Sequence, residues 1–80
     1  MKAIHVKYYG PGNVKDSRFI ARAEGVPSLT WSYRHAMNAD DNAFEAARAL
    51  AERNGWLNDG SRLVGGTLPD GSRCFVFVEN

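Results

Sequence analysis

The sequence predicts an α+β fold: a single antiparallel β-sheet in the order β-β-β-α-β-β, with one helix packed on one face. Three observations carry this. Apolar residues alternate with period two in three N-terminal runs, the spacing turns helical from Ala39, and two later apolar runs flank Pro69-Asp70-Gly71. Eighty residues can close one core, so the chain reads as one domain spanning 1–80.

In the first run Ile4, Val6 and Tyr8 alternate with Ala3, His5 and Lys7, giving a strand over about 2–9 with one buried face. Gly10-Pro11-Gly12-Asn13 is turn chemistry. Ser17 to Glu24 forms the second strand, with Phe19, Ala21 and Ala23 on one side. Gly25-Val26-Pro27 ends it, and Leu29, Trp31 and Tyr33 mark the third. Short connections make these three an antiparallel meander. The helix begins with Asp40 or Asp41 as cap and stops at Gly55. Its alanines suit close approach to a sheet, and Phe44, Ala47, Leu50 and Ala51 are its expected buried face. Trp56 and Leu57 fold back over the helix end.

Leu63-Val64 and Cys74 to Val78 form the closing hairpin, where Gly65-Gly66 signals a bulge or a close backbone approach. Asp-Gly-Ser-Arg occurs at 59–62 and again at 70–73, which reads as one turn chemistry used twice. The expected core is Ile4, Val6, Tyr8, Phe19, Leu29, Trp31, Phe44, Leu50, Trp56 and Leu63.

Composition excludes several classes. Apolar residues at 44% and charged residues at 24% are globular values, and the longest apolar run, Cys74 to Val78, is too short for a membrane span. Met1 to His5 lacks the apolar region of a secretory signal, and a single cysteine suits a reducing compartment, so a soluble, cytoplasmic monomer is expected. A net charge of +1 does not declare a nucleic-acid binder. Its distribution is more telling: residues 1–40 carry six basic and three acidic groups, and residues 41–80 carry four and six.

Catalytic constellations are missing from the pattern. The glycines fit neither a dinucleotide fingerprint nor a P-loop, and no Gly-x-Ser-x-Gly elbow accompanies the serines. His5, His35 and Cys74 lack zinc spacing, so the histidines read as surface residues and Cys74 as a small hydrophobe. Asp40 and Asp41 are explained by the helix start. Neither an enzyme nor a bound cofactor or metal is expected.

Two surfaces remain. The meander side opposite Phe19, Trp31 and Tyr33 should present His5, Lys7, Arg18, Arg22, Thr30, Ser32 and Arg34. If Cys74, Val76 and Val78 faced the helix, Arg73, Phe75 and Phe77 would join them in a basic and aromatic platform for single-stranded bases; the opposite register, favoured by the size of the rings, buries Phe75 and Phe77. Lys7, Arg18, Arg22, Arg34 and Arg73 are therefore the candidate nucleic-acid contacts. On the outer helix side, Asp41, Glu45, Arg48 and Glu52 share one sector, extended by Asp40 and by the loop residues Asn58 and Asp59. Asp40, Asp41, Glu45, Glu52, Asn58 and Asp59 are the candidate protein-partner contacts.

Met1 to Tyr8, Arg18-Phe19-Ile20-Ala21-Arg22-Ala23 and Leu63 to Gly71 resemble short proteins encoded by plasmids, integrated elements and phages. In size and strand–helix layout the chain also resembles several anti-CRISPR proteins, which inhibit by surface complementarity. That resemblance implies a non-enzymatic inhibitor made by a mobile element, binding the protein subunits of a type I CRISPR surveillance complex in the bacterial host cytoplasm and blocking target DNA. The acidic helix side would then sit where phosphates otherwise lie. A small nucleic-acid-binding module using the basic sheet face is the alternative.

Overall fold

The computed structural model describes residues 2–10, 17–57 and 60–78. Its elements are β1 (Ala3–Tyr9), β2 (Arg18–Arg22), β3 (Leu29–Ser32), α1 (Ala39–Arg53), β4 (Arg62–Thr67) and β5 (Arg73–Val78). The strands form one antiparallel sheet in the order β3-β2-β1-β5-β4, and α1 crosses one face. The helix thus joins one sheet edge to the other.

Register assigns every strand residue to a face. Val6 pairs with Ala21, Tyr8 with Phe19, and Phe19 with Trp31, which places these on the helix side with Ile4, Leu29, Leu63 and Phe75. Ile4, Val6, Phe19 and Ala21 are fully buried against Ala43, Ala46, Ala47, Leu50 and Ala51 of α1. Four small methyls let the helix axis approach the sheet, so among the described residues Leu50 is the one large apolar side chain of α1 that is fully buried. Phe75 is buried and Phe77 packs against this core, so the hairpin takes the register that turns both rings inward.

Several expectations need correcting. The helix cap is Asn38, whose side chain accepts from the Asp41 N–H at 2.8 Å; Asp40 and Asp41 lie in the first turn instead, where their charge suits the helix dipole. Phe44 is exposed, because the buried stripe runs through 42, 43, 46, 47, 50 and 51 and leaves position 44 on its margin, edge-on to Phe75. Tyr8 is also exposed, since β1 runs past the start of the helix. Leu29, Trp31 and Trp56 are only partly buried around the core.

At its other end α1 stops as the glycine signal predicts. Gly55 has φ +72°, the Trp56 N–H donates to the Ala51 carbonyl at 2.9 Å, and the Gly55 N–H to that of Glu52 at 3.1 Å. This paired arrangement turns Trp56 and Leu57 back onto the core. Arg53 reaches the Pro27 and Ser28 carbonyls and ties the helix end to the β2–β3 turn.

The glycines of the two Asp-Gly-Ser-Arg repeats, Gly60 and Gly71, have similar φ, +84° and +88°, and each precedes a strand that starts with the arginine of its repeat. The β4–β5 ladder is continuous from Arg62 opposite Val78 to Thr67 opposite Arg73, so the double glycine makes no bulge. It serves a close approach, since a Cβ on Gly65 would lie 2.4 Å from the Phe75 ring and 2.8 Å from the Cys74 carbonyl oxygen.

Candidate functional site

The sheet face turned away from α1 carries Ala3, His5, Lys7 and Tyr9 from β1, Arg18, Ile20 and Arg22 from β2, and Thr30 and Ser32 from β3. The β4–β5 hairpin adds Arg62, Val64, Gly66, Cys74, Val76 and Val78. None of the five strands contains an aspartate or glutamate. Of the five lysines and arginines in the strands, only Arg73 faces the helix. Lys7 pairs with Ile20, so it lies diagonally beside both Arg18 and Arg22, and the three cations surround one isoleucine.

Among the described residues, Lys7, Arg18 and Arg22 make no ion pair. Lys7 and Arg18 do rest on the Tyr9 ring, at 5.6 and 5.3 Å from its centroid. The ring buttresses the cations and is poorly placed to stack on a base. Nothing in the sequence singles out Tyr9, although extending the alternation of His5 and Lys7 by one step places it on this face.

Two expected members are elsewhere. Arg73 donates from Nε and Nη2 to Asp40 Oδ1 at 3.0 and 2.8 Å on the helix side, because Phe75 takes the inward register and Arg73 shares its parity. Arg34 lies beyond the end of β3 and stacks its guanidinium on Trp31, 4.5 Å from the centroid. With Phe75 and Phe77 inward as well, the expected aromatic platform is absent; of the expected cations Lys7, Arg18 and Arg22 remain on the face, with His5, Thr30 and Ser32 around them, and Arg62 lies at the β4 edge of the same face.

The acidic helix side is largely self-neutralised. Arg48 bridges Glu45, at 2.6 Å, and Glu52, while Asp40 holds Arg73. The hydrogen bond that Arg48 donates to Glu45, followed by the charges of both glutamates, raises the affinity of Arg48 for its proton. Asp41 is exposed and pairs with no cation among the described residues. Asn58 and Asp59 lie outside the described residues.

One side-chain relay borders the basic face. Ser72, nearly fully buried, donates its hydroxyl proton to Asp70 Oδ1 at 2.5 Å and lies 2.9 Å from His5 Nε2. With that proton committed to Asp70, the histidine nitrogen donates to the serine oxygen. This is the reverse of the transfer that activates a serine nucleophile. The hydrogen bonds from the Ser72 hydroxyl and then its N–H hold the Asp70 carboxyl below the usual aspartate range. The relay pins the β4–β5 turn to β1.

Among the described residues no three histidine, cysteine or acidic side chains are grouped to share a metal ion, and no helix is long and apolar enough to cross a membrane. Comparisons of the chain with family models, characterised proteins and solved structures found no match.

Proposed function

We propose that this chain works by binding, without catalysis, and that its open sheet face holds the phosphate backbone of a nucleic acid. The segregation of charge supports this most directly: acids are absent from every strand, and Lys7, Arg18 and Arg22 converge on the side that no helix covers. Cations that make no ion pair among the described residues lose little on meeting phosphate and release counterions from the polymer. Thr30 and Ser32 add hydroxyl donors along the edge strand. With Tyr9 covered by cations, recognition here is of backbone and not of base sequence. Fluorescence anisotropy with labelled single-stranded and duplex oligonucleotides at low salt tests the reading, and absence of binding at tens of micromolar protein removes it.

The second reading is an anti-CRISPR-like inhibitor acting on a type I surveillance complex in the host cytoplasm. It is favoured by the exposed Asp41, which pairs with no cation among the described residues, on a helix side whose neighbouring acids Glu45 and Glu52 are held by surface pairs, which break at little cost. Co-purification with a panel of such complexes, followed by a target-DNA assay, tests it. Asp41→Lys with Glu45→Lys should restore DNA binding without unfolding the protein.

A further inference from the structure

On the helix side, β1 and β2 extend beyond the start of α1 and leave a cleft of about 480 Å³ lined by Tyr8, Ser17, Phe19, Tyr33, His35 and Arg73. Its volume falls within the roughly 300–1,000 Å³ typical of small-molecule sites. We infer that this cleft is a binding site for a nucleobase, presented as a free nucleoside or as an unstacked base of a strand.

The floor is aromatic. Phe19 and Tyr33 lie nearly parallel, 18° apart with centroids at 6.0 Å, and Tyr8 meets them at 5.3 and 6.1 Å. That separation is too small to admit a ring between Phe19 and Tyr33, and Phe19 is fully buried, so a ligand lies against the exposed Tyr8 and the half-buried Tyr33, with Phe19 backing them. His35 leans on Tyr33 at 5.2 Å and makes no hydrogen bond among the described residues.

The rim is polar and carries both hydrogen-bond senses. Tyr8 donates to Ser17 Oγ at 3.0 Å, which leaves the serine proton to donate outward and the tyrosine oxygen to accept. An imidazole such as that of His35 presents two ring nitrogens to hydrogen-bond at this rim. Arg73, the one lysine or arginine in the lining, is already committed to Asp40, so nothing here calls for an anion. A flat ring with donors and acceptors along its edge matches both floor and rim; a phenyl ring matches only the floor. The inference stands apart from the phosphate-binding reading, because it uses the opposite face of the sheet and none of its cations.

The test is titration of the whole protein with adenosine and with cytidine, followed by amide chemical shifts, with ribose and p-cresol as controls. Saturable millimolar binding is expected, suited to a ligand of so few atoms, with shifts centred on Tyr8, Ser17, Tyr33 and His35 and none from ribose. Tyr8→Ala should weaken binding at least about fivefold, the scale of losing one stacking partner, and Tyr8→Phe should weaken it less. Lys7→Ala with Arg18→Ala should leave nucleoside binding unchanged even where it abolishes oligonucleotide binding. If Tyr8→Ala fails to fold, Ser17→Ala, which should weaken the nucleosides and leave p-cresol unaffected, carries the test. Absence of shifts with both nucleosides, shifts confined to the open face, or p-cresol binding as tightly as adenosine would each overturn the inference.

Discussion

Replacing Asn42 by alanine should be among the most damaging single changes to this protein, although the residue is polar and sits in the first turns of a surface helix. Asn42 is fully buried. Its Oδ1 accepts from the Arg34 N–H at 2.8 Å and the Trp31 indole at 3.2 Å, and its Nδ2 donates to the carbonyls of Arg34, Met37 and Asn38 at 3.0 to 3.2 Å. Truncation leaves the Asn38 and Arg34 carbonyls with their bonds from the Asn42 and Met37 N–H groups, but strands the other partners. Two orphaned donors cost about 2 to 4 kcal/mol together, and the better helix propensity of alanine returns about 0.6. A net loss of about 1.5 to 3.5 kcal/mol follows, against a total of roughly 4 to 12 for a chain of this length. Urea unfolding followed by tryptophan fluorescence and circular dichroism measures it. Asn42→Asp should lose as much at neutral pH, since a carboxylate would face three carbonyls, and should recover as acid protonates it. A loss below about 0.5 kcal/mol in Asn42→Ala, the range of an ordinary surface change, would refute the clamp.

The remaining expectations concern packing and the turn. Gly65→Ala should cost about 1 to 3 kcal/mol by overpacking against Phe75 and the Cys74 carbonyl, whereas Gly66→Ala, with open space around its Cβ, should stay within about 0.5; equal thermal shifts would contradict this. Leu50→Ala, at a fully buried position, should cost about 2 to 5 kcal/mol in chemical denaturation. Asp70 is held below the ordinary aspartate range, so the stability it contributes is present above its unfolded pKa, about 3.9, and is lost as pH falls through the lower folded value. The stability gap between the wild type and Asp70→Asn should therefore close in strong acid, and a gap independent of pH would refute the Ser72 linkage.

Period and turn chemistry made the architecture legible. The alternation of Ile4 and Val6, the alanine-rich stretch and Pro69-Asp70-Gly71 place strands, helix and hairpin without reference to distant contacts. What escaped depends on contacts between elements. Asn42 looks like a helix-start residue like its neighbours, and only the path of residues 33–38 over it explains its burial. Asn38 does not stand out as the cap in the sequence, because the two aspartates nearby are equally good caps in isolation. Phe44 is apolar at helical spacing, yet the direction of the buried stripe is set by the sheet and leaves it at the margin. The basic face was readable for Lys7, Arg18 and Arg22, whose strand parity is local. It failed for Arg73, whose parity depends on the inward register of Phe75, and for Arg34, which lies past the last strand residue. The aromatic cleft combines residues from three strands and the loop before the helix, so no single window of sequence contains it.

The central claim is that the open sheet face, whose strands carry no aspartate or glutamate, binds the backbone of a nucleic acid. Its most direct measurement is the salt dependence of affinity for a labelled single-stranded oligonucleotide, taken for the wild type and for the combined Lys7→Ala, Arg18→Ala and Arg22→Ala variant. Three phosphate contacts give a slope of log K against log salt of about −2 for a single strand. The account expects that slope in the wild type, and loss of both affinity and slope in a folded triple variant. Binding that is undetectable at low salt, or equal in the triple variant and the wild type, would contradict it.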